Sequence, residues 1–282
     1  MGKVLIAMSG GVDSSVAAYL MQQQGWDCMG ATMTLYRNED IGLSRSRTCC
    51  SLEDVEDARS VAFRLRIPYY VFNFSDEFRR QVMDRFADAY GQGRTPNPCI
   101  DCNRYLKFRH LYDRAALLGC DTIATGHYAR IERENGRYLL KKALDASKDQ
   151  SYVLYMLTQE QLAHTQFPLG SLHKAETRQL ADSLGFFNAR KPDSQDICFV
   201  PDGDYAAFIR RHSGKADTPG DFVDESGRIL GRHKGIAHYT IGQRKGLGIP
   251  SNQPLYVKAI DPKSNQVVLS GNDALFSRQL TG

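Results

Sequence analysis

The residues best suited to chemistry form a glycine-rich hexapeptide, Ser9–Ser14, with the sequence S-G-G-V-D-S. It follows a short apolar run, Val4–Met8, and precedes a helix-like stretch, Ser15–Gln24. A buried strand that ends in such a turn and opens a helix binds phosphate, because backbone N–H groups and the positive end of the helix dipole point at one anion. The carboxylate of Asp13 beside that anion suits a bridging Mg²⁺ ion.

The hexapeptide follows neither the G-x-x-x-x-G-K-[ST] pattern nor the G-x-G-x-x-G pattern of other phosphate-binding loops. It resembles the pyrophosphate loop (PP-loop) of the ATP pyrophosphatases, which release pyrophosphate and leave AMP on an acceptor oxygen. That resemblance implies that ATP binds at the end of the strand and along the loop. The residues implicated are Ala7, Met8, Ser9, Gly10, Gly11, Val12, Asp13 and Ser14. An ordinary glycine-rich turn is the alternative interpretation.

Cysteines are the second set of chemically active side chains. There are seven of them, an odd number without a secretory context, which argues against a structural disulfide framework. Cys99 and Cys102 have the C-x-x-C spacing of metal and redox sites, and the prolines of Thr95–Asn103 predict an ordered loop there rather than a helix. Cys198 lies in a predicted short apolar strand within Asp193–Phe199. The remaining thiols are interpreted as buried and structural: Cys28, Cys49, Cys50 and Cys120.

Length and charge exclude some classes of protein. The 282 residues contain no apolar run near the roughly 18 residues that a membrane span needs. The first residues, Met1–Leu5, lead directly into a strand, which predicts that no signal peptide precedes the fold. We therefore expect a cytoplasmic enzyme with no membrane partner. The net charge of +4 is compatible with a nucleic-acid partner but does not demonstrate one.

Alternating strand-like and helix-like segments over residues 1–130 predict an α/β fold with a doubly wound parallel sheet. The predicted strands are 4–8, 28–33, 69–74 and 121–125, and the predicted helices are 15–24, 51 to the stop at Pro68, 76–90 and 104–118. Ligands of such sheets lie beyond the carboxyl ends of the strands. That rule places Ser9–Ser14, Met33 and Gly126–His127 around one crevice.

The second half of the chain no longer alternates strands and helices regularly. A hairpin is predicted over 130–140, and residues 150–212 read as mostly helical with one short strand at Ile197–Val200. Short β-like runs follow at 222–223, 229–230, 237–241, 256–260 and 267–269. We therefore expect a catalytic domain over 1–205 and a small β-rich domain over 206–282.

Six motifs in chain order carry a family resemblance. They are S-G-G-V-D-S, T-P-N-P-x-x-x-C-N, A-T-G-H-Y, K-D-Q-S-Y, D-S-x-x-I-C-F and G-Q-R-K-G-L-G, at Ser9–Ser14, Thr95–Asn103, Ala124–Tyr128, Lys148–Tyr152, Asp193–Phe199 and Gly242–Gly248. Together they resemble the tRNA-specific 2-thiouridylases, members of the PP-loop ATP pyrophosphatase superfamily with an adenine nucleotide α-hydrolase-like fold. The likeness runs along nearly the whole chain.

The resemblance implies 2-thiolation of the wobble uridine, U34, in the tRNAs for Lys, Glu and Gln. ATP, with Mg²⁺, would adenylate the C2 oxygen of the uridine and release pyrophosphate. A persulfide on Cys198, supplied by a sulfur donor protein, would then attack C2. Cys102 would assist and form a disulfide with Cys198 in the cycle. Adenylation makes the oxygen a good leaving group, and thiolate sulfur is a strong nucleophile.

The same resemblance implies contacts outside the loop. Backbone at Met33 and Gly126 would contact adenosine. The implied substrate-binding residues are His127, Lys148, Asp149 and Gln150 for tRNA, with Pro96, Asn97 and Pro98 beside the target base. A solvated helix start is the alternative for Lys148–Gln150, and a solvated loop is the alternative to phosphate binding for Arg244 and Lys245.

Two departures from the family pattern stand out. Many members carry Asp where this chain has Cys99, so Cys99, Cys102 and Cys198 offer three thiolates. Three protein ligands would leave one iron of a [4Fe–4S] cluster open to bind sulfide, an alternative to persulfide chemistry without metal. The family also continues into a C-terminal β-barrel, which we expect this chain to lack because it stops at Gly282.

Two other functions stay open at this stage. Another adenylating enzyme with the same loop, such as a lysidine or GMP synthetase, would act on tRNA or on a small amide or carbonyl substrate. Such an enzyme uses an amine or ammonia and has no need for Cys102 and Cys198. A non-catalytic RNA-binding or Fe–S scaffold protein would not release pyrophosphate from ATP.

Overall fold

The structure is a computed structural model that describes residues 2–41, 52–193 and 197–276. The chain forms two compact units, and each contains segments from distant parts of the sequence. The first unit consists of Met1–Val82 and Cys99–Pro201, and the second of Met83–Pro98 and Asp202–Gly282. Cys49, Cys50 and the predicted helix start at Ser51 lie outside the described residues.

A five-stranded parallel sheet forms the centre of the first unit. Its strand order is β3-β2-β1-β4-β7. The strands are β1 Lys3–Ala7, β2 Asp27–Thr34, β3 Tyr69–Asn73, β4 Thr122–Thr125 and β7 Thr165–Gln166. Because all neighbours run parallel, their carboxyl ends meet at one edge, where ligands of such sheets bind. The parallel α/β fold predicted from the sequence is confirmed.

Helices cover this sheet and complete its core. The helices of the first unit are α1 Val12–Gln23, α2 Leu52–Leu65, α3 Ser75–Phe78, α5 Pro98–Asp101, α6 Leu111–Leu117, α7 Gln159–Ala163 and α8 Lys174–Ser183. The predicted apolar face of α2 is buried, with Ala58 and Ala62 fully inaccessible to solvent. Apolar side chains of β1, α1 and α2 form one cluster, so helix packing fixes the entry to α1, where the glycine-rich loop lies.

The predicted hairpin is also confirmed. Strands β5 (Ala129–Glu134) and β6 (Arg137–Lys142) pair antiparallel, with Glu134 opposite Arg137. Both residues of the connecting turn have positive φ, 50° at Asn135 and 78° at Gly136. A two-residue turn of this kind matches the twist of the flanking strands, which explains the Asn-Gly sequence.

Two sequence predictions in the first unit are wrong. Cys99–Asn103 is helical rather than a loop, because α5 begins at Pro98 and continues through wide π-helical turns at Cys102–His110 into α6. Proline is well suited to the first position of a helix, where its missing N–H costs nothing. Ile197–Val200 is not a strand but a turn, closed by a 2.9 Å hydrogen bond from the Val200 N–H to the Ile197 carbonyl.

The second unit contains a four-stranded sheet with the order β10-β11-β8-β9. Its elements are α4 Asp84–Gly91, α9 Tyr205–Ser213, β8 Gly220–Val223, β9 Ile229–His233, β10 Tyr256–Asp261 and β11 Gln266–Ser270. Aromatic packing joins the two helices, with the rings of Phe86 and Phe208 6.0 Å apart. The predicted run 237–241 is not a strand, since a short 3₁₀ turn, Ile236–His238, occupies its start.

Candidate functional site

The glycine-rich loop is held in shape by its own serines. The Ser9 N–H donates to the Ser14 hydroxyl oxygen at 3.1 Å, and that hydroxyl donates to the Gly11 carbonyl at 3.0 Å. Gly10 has a φ of 75°, a conformation that favours glycine. No side chain of the described residues caps α1 at Gly11. The N–H groups of the first helical turn therefore remain suited to an external anion.

The exit of β4 packs directly against this loop. A Cβ atom added at Gly126 would lie 2.8 Å from the Asp13 carbonyl carbon and the Ser14 nitrogen. A Cβ at Gly10 would lie 2.5 Å from the Asp54 carbonyl oxygen on α2. The two glycines are thus required by close backbone approach, and the loop lies directly against the exit of β4. The crevice around Ser9–Ser14, Met33 and Gly126–His127 stays a prediction.

Asn188 is a residue that sequence reasoning missed. Its side-chain N–H₂ donates to the Gly10 carbonyl and to the Ser15 hydroxyl, both at 2.9 Å. The residue is only 3% exposed. A buried amide with these two contacts holds the loop and the first turn of α1 together.

A buried ammonium group lies beneath the loop. Lys174, the first residue of α8, places its Nζ 2.7 Å from both carboxylate oxygens of Asp13 and 2.7 Å from Oδ1 of Asp193. Its side chain is 10% exposed. A buried charge is tolerated when it is paired and hydrogen-bonded, and here one cation serves two carboxylates. Lys174 therefore ties the loop to the segment that leads to Cys198.

Asp193 forms ion pairs with two more cations. Lys148 Nζ lies 2.8 Å from its Oδ2, and Arg178 Nη2 lies 2.9 Å from its Oδ1. Partial burial alone would raise the pKa of Asp193, but the hydrogen bonds from Lys148 and Lys174 outweigh it and lower that pKa to about 2. The carboxylate is therefore charged at neutral pH and acts as the centre of the ion-pair network.

Tyr128 completes the contacts of Asp13. Its hydroxyl donates to Asp13 Oδ1 at 2.9 Å and is 3.0 Å from the Thr177 hydroxyl. Burial, together with the neighbouring Asp13 carboxylate, raises the pKa of Tyr128. The phenol is thus neutral and serves as a hydrogen-bond donor.

These contacts join sequence motifs that are far apart in the chain. Asp13, Tyr128, Lys148 and Asp193 come from four of the six motifs, and each lies in the network around Lys174. A fifth motif is attached by Asn103, whose amide donates to the Val153 carbonyl at 3.1 Å. The sixth motif, Gly242–Gly248, belongs to the second unit, where the Gln243 side chain accepts from the Thr240 N–H and donates to the Lys245 carbonyl.

Cys102 lies on the helix that faces His127. Burial raises the pKa of the Cys102 thiol to about 11, although the Lys107 ammonium works in the opposite direction. Lys107 Nζ is also 3.4 Å from His127 Nε2. Since an ammonium only donates, Nε2 accepts, and the His127 proton lies on Nδ1, which donates to the Thr125 hydroxyl at 2.6 Å. Burial, then Lys107, lowers the pKa of His127 and keeps the ring neutral.

Cys198 lies near the carboxyl end of β2. The Tyr36 hydroxyl donates to the Cys198 carbonyl at 2.6 Å. The next ring along the chain, Phe199, packs edge-on against Phe78 at 5.6 Å. Neither Cys198 nor Cys102 is part of a disulfide, and Cys99 is exposed.

The three candidate thiol ligands do not form a cluster site in this conformation. Within residues 2–41, 52–193 and 197–276, no group of three or more His, Cys, Asp or Glu side chains is arranged to hold a metal ion. The set of Cys99, Cys102 and Cys198 therefore does not fit a [4Fe–4S] cluster as it stands, and no chemical step is derived from one.

Several predicted site residues have contacts of a different kind from those expected. Asp149 accepts from the Ala143 N–H at 2.8 Å and the Ser151 hydroxyl at 2.7 Å, and Gln150 Oε1 accepts from the Tyr128 N–H at 2.9 Å. His127 is 7% exposed. The polar side chains of Lys148–Gln150 thus hold the turn in place, whereas direct contact with RNA remains a prediction.

The other predicted positions are distributed as follows. Met8 is buried at the end of β1, and its carbonyl accepts from the Thr32 hydroxyl at 2.6 Å. Ala7 and Met33 are half-buried in β1 and β2, and Val12 is buried at the start of α1. Pro96, Asn97 and Pro98 belong to the second unit, directly before Cys99 in the chain.

The donor set fits a nucleotide with its cation. The loop offers N–H groups at a helix terminus, and Lys174 offers a buried positive charge next to Asp13. Each carboxylate oxygen accepts more than one contact, so the ion pair with Lys174 does not prevent Asp13 from binding Mg²⁺.

The sequence did not reveal four residues of the site, because nothing in their local sequence indicates distant partners. They are Lys174, Arg178, Lys107 and Asn188. The one available signal was the polar run H-K-A-E-T-R at 173–178.

Comparisons with known proteins agree with this geometry. Family models described as "tRNA methyl transferase HUP domain" and "tRNA methyl transferase PRC-barrel domain" match residues 2–202 and 206–271. The chain is 53% identical over 280 residues to "tRNA-specific 2-thiouridylase MnmA" of Clostridioides difficile, covering 99% of this chain and 77% of the relative. It is 54% identical over 282 residues to the protein of that name from Lachnoclostridium phytofermentans, covering 99% and 79%.

Among solved structures, a 4-thiouridine synthetase in complex with RNA and ATP is 18% identical, with a TM-score of 0.48. The alignment covers 75% of this chain and 50% of the synthetase chain. No helix in the described ranges is long and apolar enough to cross a membrane.

Proposed function

The chain belongs to the tRNA-specific 2-thiouridylase family, and from that premise we propose that it carries out the ATP-dependent 2-thiolation of tRNA, at the wobble uridine U34. The identity above 50% along 99% of the chain carries this proposal. The name of the matching family models mentions methyl transfer, but the relatives matched along the whole chain are thiouridylases. A loop for pyrophosphate and a set of thiols also suit adenylation and sulfur transfer.

In the first step, the uridine O2 attacks the α-phosphorus of ATP and pyrophosphate leaves. The loop Ser9–Ser14 binds the pyrophosphate portion through backbone N–H groups, and Lys174 adds positive charge beside it. Mg²⁺, held through Asp13, would neutralise further phosphate charge when bound. Backbone at Met33 and Gly126 contacts the adenosine. The network around Lys174 supports these roles, since it orients Asp13 against the loop.

In the second step, the terminal sulfur of a Cys198 persulfide attacks C2, and AMP leaves with the former O2 oxygen. Cys102, as a thiolate, then attacks the Cys198 sulfur, which releases 2-thiouridine and forms a Cys102–Cys198 disulfide. An external thiol reductant must reduce that disulfide before the next turnover. Because the pKa of Cys102 is raised to about 11, this thiol has to lose its proton to a neighbouring group within the complex.

The proposal also names the substrates of the enzyme, its sulfur donor and the residues that contact tRNA. The substrates are the tRNAs for Lys, Glu and Gln, and the sulfur comes from a persulfide-carrying donor protein. His127 and Lys148–Gln150 support the tRNA site, and Pro96–Pro98 lie by the target base. The catalytic domain comprises residues 1–205, of which Met83–Pro98 fold with the second unit. Residues 206–282 add contacts to tRNA, and the reaction takes place in the cytoplasm. The chain spans about three-quarters of the length of the relatives.

The experiment is thiolation with purified components. Unmodified transcripts of the three tRNAs are incubated with ATP, Mg²⁺ and a persulfide donor, and both pyrophosphate and 2-thiouridine are measured, the latter by nucleoside mass spectrometry. Asp13→Asn should abolish both products. The matched control is Asp27→Asn, at the opposite end of β2 in a weak surface ion pair with Lys3 at 4.0 Å, and it should retain both.

Two cysteine variants separate the possible sulfur mechanisms. Cys198→Ser should form no 2-thiouridine and release at most one pyrophosphate per tRNA. Cys99→Ser should stay active if the sulfur is a persulfide, whereas a cluster held by three thiolates would lose activity. Iron and sulfide analysis after anaerobic purification gives an independent measure. Amine incorporation in place of sulfur would instead support another adenylating enzyme and contradict the proposal.

A further inference from the structure

The turn that follows Lys148–Gln150 presents two tyrosines to solvent. Tyr152 is 67% exposed and Tyr155 is 63% exposed, whereas tyrosines as a class are intermediate in burial. Their ring centroids lie 6.5 Å apart, with 35° between the planes. Two neighbouring rings are thus available to an external partner.

The backbone of this turn is fixed, so the exposure is not that of a loose loop. Ser151–Leu154 forms a 3₁₀ turn, and Leu154 is fully buried. The Asn103 amide donates to the Val153 carbonyl, between the two tyrosines in sequence. On the preceding side, Asp149 and Gln150 bind the first unit through their side chains. The polar side chains of the motif therefore make contacts within the first unit, although Gln150 is also exposed, and the two tyrosines are the large exposed aromatic side chains of this turn.

The elements that pack against this turn are strongly basic. They are the helical segment Cys102–His110 and strand β6 of the hairpin. Cys102–His110 has three basic residues and no acidic one, and β6, Arg137–Lys142, also has three basic residues and no acidic one. Six basic residues and no acidic one give these two elements a net charge of +6, more than the +4 of the whole chain. Arg109, Arg137 and Lys142 among them are exposed.

Rigid exposed rings bordered by positive charge match the chemistry of single-stranded nucleic acid. Unpaired bases stack on aromatic side chains, and basic residues bind the phosphates that connect them. From this juxtaposition we infer that Tyr152 and Tyr155 form a stacking platform for unpaired bases of the tRNA anticodon loop, beside the helix that carries Cys102. The inference rests on the proposed function for its choice of RNA. It assigns base contacts to residues outside the catalytic chemistry.

The test measures the affinity of the full chain for a fluorescently labelled anticodon stem-loop by anisotropy. Tyr152→Ala and Tyr155→Ala should each raise the Kd roughly tenfold, in line with the loss of one base stack. Tyr→Phe at the same positions should stay within about twofold, because the ring is kept. Phe63→Ala is the matched control, since Phe63 is 84% exposed on α2, and it should leave the Kd unchanged. ATP binding by calorimetry should be the same in all of these variants.

An RNA with abasic positions in the loop identifies the partner of the rings. It should bind wild-type protein about as weakly as the double alanine variant binds normal RNA, and the variant should not weaken further. Unchanged affinity in the alanine variants, or equal losses with fully paired duplex RNA, would overturn the inference. So would a defect seen only in sulfur delivery, which would indicate a protein partner. If RNA binds through the rings but is never thiolated, the proposed function fails while the platform stands.

Discussion

Around the glycine-rich loop, carboxylates and cations are paired, whereas the Cys102 thiol and His127 stay neutral next to the Lys107 ammonium. Lys174 lies within 2.7 Å of Asp13 and of Asp193, and Asp193 has its pKa lowered to about 2. On the other side, Cys102 has its pKa raised to about 11, and His127 is kept neutral by burial and by Lys107. The carboxylates of Asp13 and Asp193 and the thiol of Cys102 are all partly buried, so the difference comes from the partners that each group has.

That difference corresponds to the two halves of the proposed reaction. A phosphate site benefits from fixed charges before substrate arrives, because preorganised charge needs no rearrangement during reaction. A thiol that is neutral at rest resists oxidation and metal capture until a base or a bound substrate removes its proton. The loop side is thus prepared in advance, and the thiol side depends on activation within the complex.

The largest effect should come from removing the shared cation. Lys174→Met leaves Asp13 without its ammonium partner, although Lys148 and Arg178 still serve Asp193. Breaking a buried ion pair should lower the free energy of unfolding by about 2–3 kcal/mol and the rate of pyrophosphate release about a hundredfold or more. Urea unfolding and pyrophosphate assays measure the two effects.

Lys148→Met is the matched control for that variant, since it removes the same charge from the same network. Its side chain is 39% exposed, so water replaces much of the lost interaction and the cost should stay below about 1 kcal/mol. Equal losses in the two variants would contradict the distinction between the buried and the exposed cation.

A second effect concerns pH on the loop side. The carboxyl of Asp193 titrates near 3.8 in a model chain and near 2 when folded, so on acidification the unfolded chain binds the proton first. Its contribution of about 2 kcal/mol should be present above pH 4 and disappear between about pH 4 and pH 2. Asp193→Asn should flatten the unfolding free energy in that window. A variant with the wild-type slope would show that other groups cause it.

A third effect concerns the thiol side. Lys107→Met removes the ammonium that lowers the Cys102 pKa, so that pKa should rise further and iodoacetamide labelling at pH 9 should slow severalfold. Peptide mass spectrometry measures the labelling rate, with the exposed Cys99 on the same helix as the internal reference. Faster labelling of Cys102 in the variant would mean that Lys107 shields the thiol rather than tuning it.

The sequence predicted the scaffold well because its signals are local. The alternation of strands and helices, the apolar face of α2 and the Asn135-Gly136 turn each depend on residues within one element. The helix at Pro98 and the turn at Cys198 were misread, since a proline and the short apolar run Ile-Cys-Phe-Val are compatible with more than one structure.

The sequence predicted only those residues of the site that belong to a recognisable motif. Lys174 contacts Asp13, which is 161 positions away in the chain, and Asn188 contacts Gly10, which is 178 positions away. No periodicity or spacing encodes such pairs, because the fold alone brings them together. The motifs identified the loop and the thiols but not the cations that connect them.

The smallest effect should come from the hydroxyl that orients His127. Thr125→Val keeps the shape of a buried residue but removes the acceptor 2.6 Å from Nδ1, which should cost about 1 kcal/mol of unfolding free energy. Thr122→Val in the same strand is the matched control, and it should cost less than about 0.5 kcal/mol. Nitrogen NMR of the ring should show the Nδ1–H tautomer lost only in the first variant. An unchanged tautomer would mean that Lys107, through its contact at Nε2, is enough to set the neutral state of His127.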